Sequence, residues 1–167
     1  MTERRNGPDE PEQVRLARNM AELLQELRVV QAGVQILFAF LLAVAFAARF
    51  GQATQFERVT MVVTVGLTTV SAVLLMAPAA WHRVYFREGR REDILRWGNR
   101  FALAGLAFLA AAMSGAVLLV VDVVFGTTTA IAFAACAAAL FYTVWFLLPV
   151  ARRSRAPRDD DDEGRTP

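Results

Sequence analysis

The chain has 167 residues, 56% of them apolar and 20% charged, with a formal net charge of +2 and a mean hydropathy of +0.37. Its length suits one ordinary domain, yet the apolar residues fall in blocks instead of being dispersed as in a soluble core. A single histidine and a single cysteine exclude an internal disulfide and leave too few side chains for a metal centre or a nucleophile with its base, so neither an enzyme nor a cofactor or metal is expected.

Residues 1–13 are rich in Pro, Gly and charge, a composition that cannot bury enough surface to order itself, and are expected to form a disordered tail. Residues 1–28 carry no apolar run with a small-residue cleavage site, so the first span is expected to direct insertion. Asn19-Met20-Ala21-Glu22 has the form of a helix N-cap with an acid three residues on. Leu23, Leu24 and Leu27 follow at helical spacing, which predicts a short cytoplasmic helix running into that span.

Four apolar blocks then follow, at 29–48, 59–80, 101–121 and 128–150, each near the roughly 20 residues needed to cross a hydrocarbon core about 30 Å thick. Lipid offers the backbone no hydrogen-bond partner, so each block must be helical, and the in/out alternation of a barrel strand is absent. Buried helices of a soluble protein would keep a polar face, which these blocks lack. The expected architecture is all-α, a membrane four-helix bundle over residues 14–150, followed by a disordered tail at 151–167.

Orientation follows from arginine, which supplies all 18 basic residues. Arg4, Arg5, Arg15, Arg18 and Arg28 precede the first span. Arg83, Arg87, Arg90, Arg91, Arg96 and Arg100 lie in the 81–100 loop, and Arg152, Arg153, Arg155, Arg158 and Arg165 in the tail. The 51–58 loop has Arg58, with Arg49 just before it, and the 122–127 turn has none. Both termini and the 81–100 loop are therefore expected on the cytoplasmic side. Val84, Tyr85, Phe86, Ile94, Leu95 and Trp97 interleave with the arginines of that loop, a pattern for the headgroup level, with Asp93 capping its second half. Arg83, Arg87, Arg90 and Arg91 are candidates for anionic-lipid headgroups, although topology alone accounts for arginine there. A pI near 9.3 follows from the same rule and does not call for nucleic acid.

Within the spans, Arg28, Gln31 and Gln35 stand three and four apart on one stripe, as a polar vestibule or ion site would require, or as amides bonding to a neighbouring helix. Thr60, Thr64, Thr68 and Ser71 form a second stripe, ending at Pro78, of the kind that permits close packing. Ala107, Ala111 and Gly115 in the third span and Ala130, Ala134 and Ala138 in the fourth are expected to pack against each other; homo-oligomerisation stays open. Cys136 lies among alanines as a packing residue. His82, between Trp81 and Arg83, reads as an interfacial anchor before a pH sensor.

Asp122 is the one acid closely bounded by apolar residues at the far end of a span. It lies about 32 Å along the helix from Phe101, at the far interface and not at the midplane. It is expected as a hydrated carboxylate clasped to Arg58 or Arg49; a transport role would make it a proton or sodium carrier, which normally lies deeper.

The stretch ELLQELRVVQAGVQILFAFLL at 22–42, His82-Arg83, and LLPV from Leu147 resemble an uncharacterised actinobacterial family of small four-span membrane proteins, some of which carry a sodium:proton antiporter label. The likeness covers most of residues 19–152. It implies a multi-pass protein of the bacterial inner membrane and brings no set of functional residues. The reading is a non-enzymatic accessory or scaffold-like protein acting through protein partners or anionic lipids; the alternative is a small cation or proton transporter or channel.

Overall fold

The computed structural model describes residues 12–85 and 91–153, and among them the backbone is helical apart from short connections. The helices are α1 (Glu12–Ala45), α2 (Gln55–Tyr85), α3 (Arg91–Phe125), α4 (Thr127–Tyr142) and α5 (Leu148–Arg153). A π-helical turn, Thr143–Leu147, makes α4 and α5 one rod. Four stretches are long and apolar enough to cross a membrane: Ala21–Ala45, Gln55–Trp81, Trp97–Phe125 and Thr127–Arg152. The all-α, four-span architecture expected from hydropathy is the one found.

The helix ends differ from expectation in one direction, towards longer helices. α1 begins at Glu12 and passes Asn19 without a break, so the pre-span helix and the first span are one element of 34 residues. Nothing in EQVRLAR interrupts a helix, and Arg18 pairs with Glu22 one turn on at 3.9 Å. The stretch expected as the 81–100 loop is mostly the ends of two long helices, α2 continuing to Tyr85 and α3 starting at Arg91. Asp93 is thus inside the first turn of α3 and does not cap a later segment. Residues 86–90 lie outside the described residues, as do 1–11 and 154–167.

At the opposite end, α2 starts at Gln55, four residues before the apolar block, because Thr54 and Glu57 form a capping box. Glu57 N donates to Thr54 Oγ1 at 3.2 Å, and Thr54 N donates to Glu57 Oε2 at 2.6 Å. Between α1 and α2 lies a 3-10 turn, Ala48–Gln52. α3 runs on through Asp122 to Phe125, and Gly126 alone connects it to α4. Its φ of 84° lies where only glycine sits without strain.

α3 is the central helix, touching α1, α2 and α4, and its largest interface is with α2. Met61, Thr64, Thr68, Ser71, Leu75 and Pro78 of α2 are buried at alternating spacings of three and four. On α3, Gly98, Ala102, Gly105, Leu109, Ala112, Ala116 and Leu119 are buried in the same alternation. Such a repeat keeps one seam facing a partner helix. Lipid is as apolar as a leucine side chain, so close backbone approach must hold these helices together, and small residues allow it. A Cβ on Gly105 would lie 2.7 Å from Leu75 Cγ, and one on Gly115 would collide with Thr64 Oγ1. Gly115 therefore serves the α2–α3 contact, not the α3–α4 face expected for it. The α3–α4 contact itself is present, with Ala130 buried in α4. α1 lays Leu27, Val34 and Leu41, one heptad apart, into the core.

Candidate functional site

The polar side chains within the spans fall into three groups: those tied to backbone, those facing outward, and those around a cavity at the Gly126 end. In the first group Thr64 Oγ1 donates to Thr60 O at 2.7 Å and Thr68 Oγ1 to Thr64 O at 2.8 Å. Ser114 Oγ likewise donates to Ala110 O at 2.8 Å. These bonds within a helix turn a polar face into one that packs. Three further side-chain bonds among the described residues cross between helices. Gln31 Nε2 of α1 donates to Leu75 O of α2 at 3.1 Å, Ser71 Oγ of α2 to Gly105 O of α3 at 2.8 Å, and Tyr142 OH of α4 to Ala107 O of α3 at 2.9 Å.

By helix rise, all three cross-ties lie about 9–15 Å inside the arginine-bearing ends of the spans. They form a belt in which each helix is bonded to a neighbour at one level. Pro78 explains the α2 end of the first tie. Inside a helix, proline cannot donate to the carbonyl four residues back and its ring disturbs that turn, and Gln31 delivers its amide to the adjacent carbonyl. Among the described residues no buried side-chain nitrogen or oxygen is left without a partner.

The stripe of Arg28, Gln31 and Gln35 is therefore divided. Gln31 points into the protein; Gln35 is exposed, and Arg28 Nη1, also exposed, donates to Gln25 Oε1 of its own helix at 3.3 Å. At the same end Trp81 and Phe101 meet edge to face at 5.0 Å, and the Arg100 guanidinium stands over the Trp97 ring at 5.2 Å. Aromatic rings paired with a cation suit the interfacial level. Of the lipid candidates, Arg87 and Arg90 lie outside the described residues, as do the side chains of Arg83, Arg91 and His82.

At the Gly126 end, a cavity of about 680 Å³ opens between the ends of α1 and α3 beneath the 46–54 connection. Phe40, Val44, Phe50 and Leu119 supply apolar wall, and Gln52, Thr54, Glu57 and Asp122 the polar part. Asp122 stands in the last turn of α3, where a negative charge faces the negative end of the helix dipole at a cost of about 0.3–1 kcal/mol. The expected Asp122–Arg58 clasp is not formed: Arg58 Nη2 donates to Gly51 O at 3.4 Å, across the loop. The Arg49 side chain lies outside the described residues.

Two features, one beside this cavity and one at the opposite end of the fourth span, were missed from the residues alone. Thr54-Gln55-Phe56-Glu57 is a readable capping box that fixes the position of Glu57 beside the cavity. The second is the π-helical turn at Thr143–Leu147, where Leu148 N donates to Thr143 O. Pro149, which cannot donate to Trp145 O, is the signal for it. The widened turn directs Trp145 onto the cluster of Leu27, Val34, Leu75, Ala102 and Leu109. Phe141 packs on Trp145 at 5.2 Å and Tyr142 on Phe146 at 5.6 Å.

Fold and site together define a helical protein of membrane type, with four spanning helices held by small-residue seams and a belt of hydrogen bonds. The chain belongs to a family of unknown function (DUF6328), whose model matches residues 9–149. No curated protein and no solved structure matches it.

Proposed function

We propose that this is a non-enzymatic accessory or scaffold-like protein of the bacterial cytoplasmic membrane, acting through protein partners or anionic lipids. The observation that carries this reading is how Gln31, Thr64, Thr68, Ser71, Ser114 and Tyr142 are engaged. Gln31, Ser71 and Tyr142 donate to carbonyls of neighbouring helices and tie them together, and Thr64, Thr68 and Ser114 donate within their own helices, so these six groups serve packing instead of lining a path. Affinity purification from native membranes tests it: a stoichiometric protein partner or a retained anionic lipid is expected. Recovery of the chain with neither would count against it.

Both termini should lie in the cytoplasm, because residues 1–28, 81–100 and 151–167 hold 16 of the 18 arginines. Alkaline phosphatase fused after Arg155 should be inactive and fused after Phe125 active. The reverse pattern would invert the topology.

The cavity favours a second reading, a small cation or proton transporter or channel of the kind that the sodium:proton antiporter label implies. Asp122 and Glu57 share its wall with aromatic and aliphatic side chains. Glu57 is already engaged in the capping box, which leaves Asp122 as the candidate carrier.

A further inference from the structure

We propose that α1 is the dimerisation helix, and that a second copy of this chain packs against it in parallel along Ala32, Gln35, Ala39, Leu42 and Phe46, with the two Gln35 amides bonded to each other. These five residues follow one another at alternating spacings of three and four and are all exposed in the protomer. The same repeat, where it is buried on α2 and α3, is the one that receives a neighbouring helix. On α1 it runs uncovered from Ala32 to Leu42, and Phe46, just past the helix, continues it, its N–H still donating to Leu42 O at 3.1 Å.

Gln35 is the observation that calls for a partner. It lies about 10 Å inside the level of Arg28, within the span Ala21–Ala45, and has no hydrogen-bond partner among the described residues. A primary amide in hydrocarbon without partners is costly, and intramembrane Gln is ordinarily satisfied by another helix. Gln31, one turn away, shows the satisfied case. The outward surface of α4, by contrast, presents Ile131, Phe133 and Leu140, for which lipid is sufficient.

That the occupant is a second copy follows from topology and chemistry. Two copies inserted in the same sense have parallel first helices, and a two-fold axis along the membrane normal sets Gln35 of each at the same depth as that of the other. A primary amide is self-complementary: each NH2 donates to the other carbonyl oxygen, and both donor and acceptor are met. Ala32 and Ala39, on either side of Gln35, let the backbones come within reach of that bond. Arg28 continues the repeat at the hydrated edge, where Gln25 of its own helix takes its guanidinium. The seam is a property of α1 alone, so the dimer and the accessory role fail separately.

The test uses the full chain in liposomes, in a Cys136→Ala background because Cys136 is free and exposed. Oxidative cross-linking should give a homodimer from Ala32→Cys and Ala39→Cys. It should give little from Gly33→Cys and Phe40→Cys, which are also exposed but lie about 120–140° round the helix from the middle of the seam. Gln35→Leu should weaken the dimer about three- to tenfold, read by single-molecule photobleaching as protein is diluted in lipid. Because Gln35 is exposed, this variant should melt as the parent does. Equal cross-linking at all four positions, a monomer at every dilution, or an unchanged dimer in Gln35→Leu would overturn the proposal.

Discussion

Gly105→Ala is expected to destabilise the folded chain by about 1–3 kcal/mol, the range for overpacking a filled interior. The added Cβ would stand 2.7 Å from Leu75 Cγ, 2.9 Å from Leu75 Cδ2 and 3.3 Å from Leu75 N. Leu75 is fully buried, so its side chain has nowhere to move and the backbone nitrogen cannot yield. Relief requires α2 and α3 to separate, which stretches the Ser71–Gly105 bond, 2.8 Å in the native fold. Thermal unfolding in detergent, followed by tryptophan fluorescence, reads the loss. Gly66→Ala is the control: nothing lies within 4 Å of its added Cβ, and its melting should be unchanged or slightly raised. An unaltered melting curve for Gly105→Ala would show that the α2–α3 seam is looser than described.

Gly126→Ala should be destabilising for a different reason. Nothing lies within 4 Å of a Cβ there, so the cost is conformational and not steric crowding by neighbours. With φ 84° and ψ 166°, the residue occupies a region reached essentially by glycine alone, and another residue held there is strained by about 1–3 kcal/mol. Because this one residue is the whole connection between α3 and α4, the strain is relieved only by unwinding a helix end. That would disturb the register of α4 on α3, including the Tyr142–Ala107 bond. Gly126→Ala should therefore melt earlier than the parent and exchange amide hydrogens faster at 122–130. Equal protection there would refute the assignment.

The positions of the spans were legible because lipid imposes one requirement on every residue of a crossing, and a run of apolar side chains displays it directly. The stripe of Thr64, Thr68 and Ser71 was legible too, since its spacing marks one helix face. Helix ends were not. Charged Arg and Glu are good helix formers, so α1 and α3 extend well beyond their apolar blocks, and hydropathy is silent on that extension. The length of a helix also gives the level of a residue but not its direction around the axis. Asp122 and Arg58 were matched by level, yet the Arg58 guanidinium turns to Gly51 O. Gln31 and Gln35 share a stripe, and which of them meets a carbonyl depends on where α2 lies. Pro149 is visible as a proline, but the π turn and the inward Trp145 depend on packing against helices far off in sequence.

On the function proposed above, the polar groups of the spans serve helix packing and carry no ion. Sodium-driven proton flux into liposomes carrying the purified protein and a pH-sensitive dye tests this. Flux no greater than in protein-free vesicles is the result expected. Flux that is present in the parent and disappears in Asp122→Asn, while that variant keeps the parental melting curve, would contradict the account and make the cavity at Asp122 an ion path.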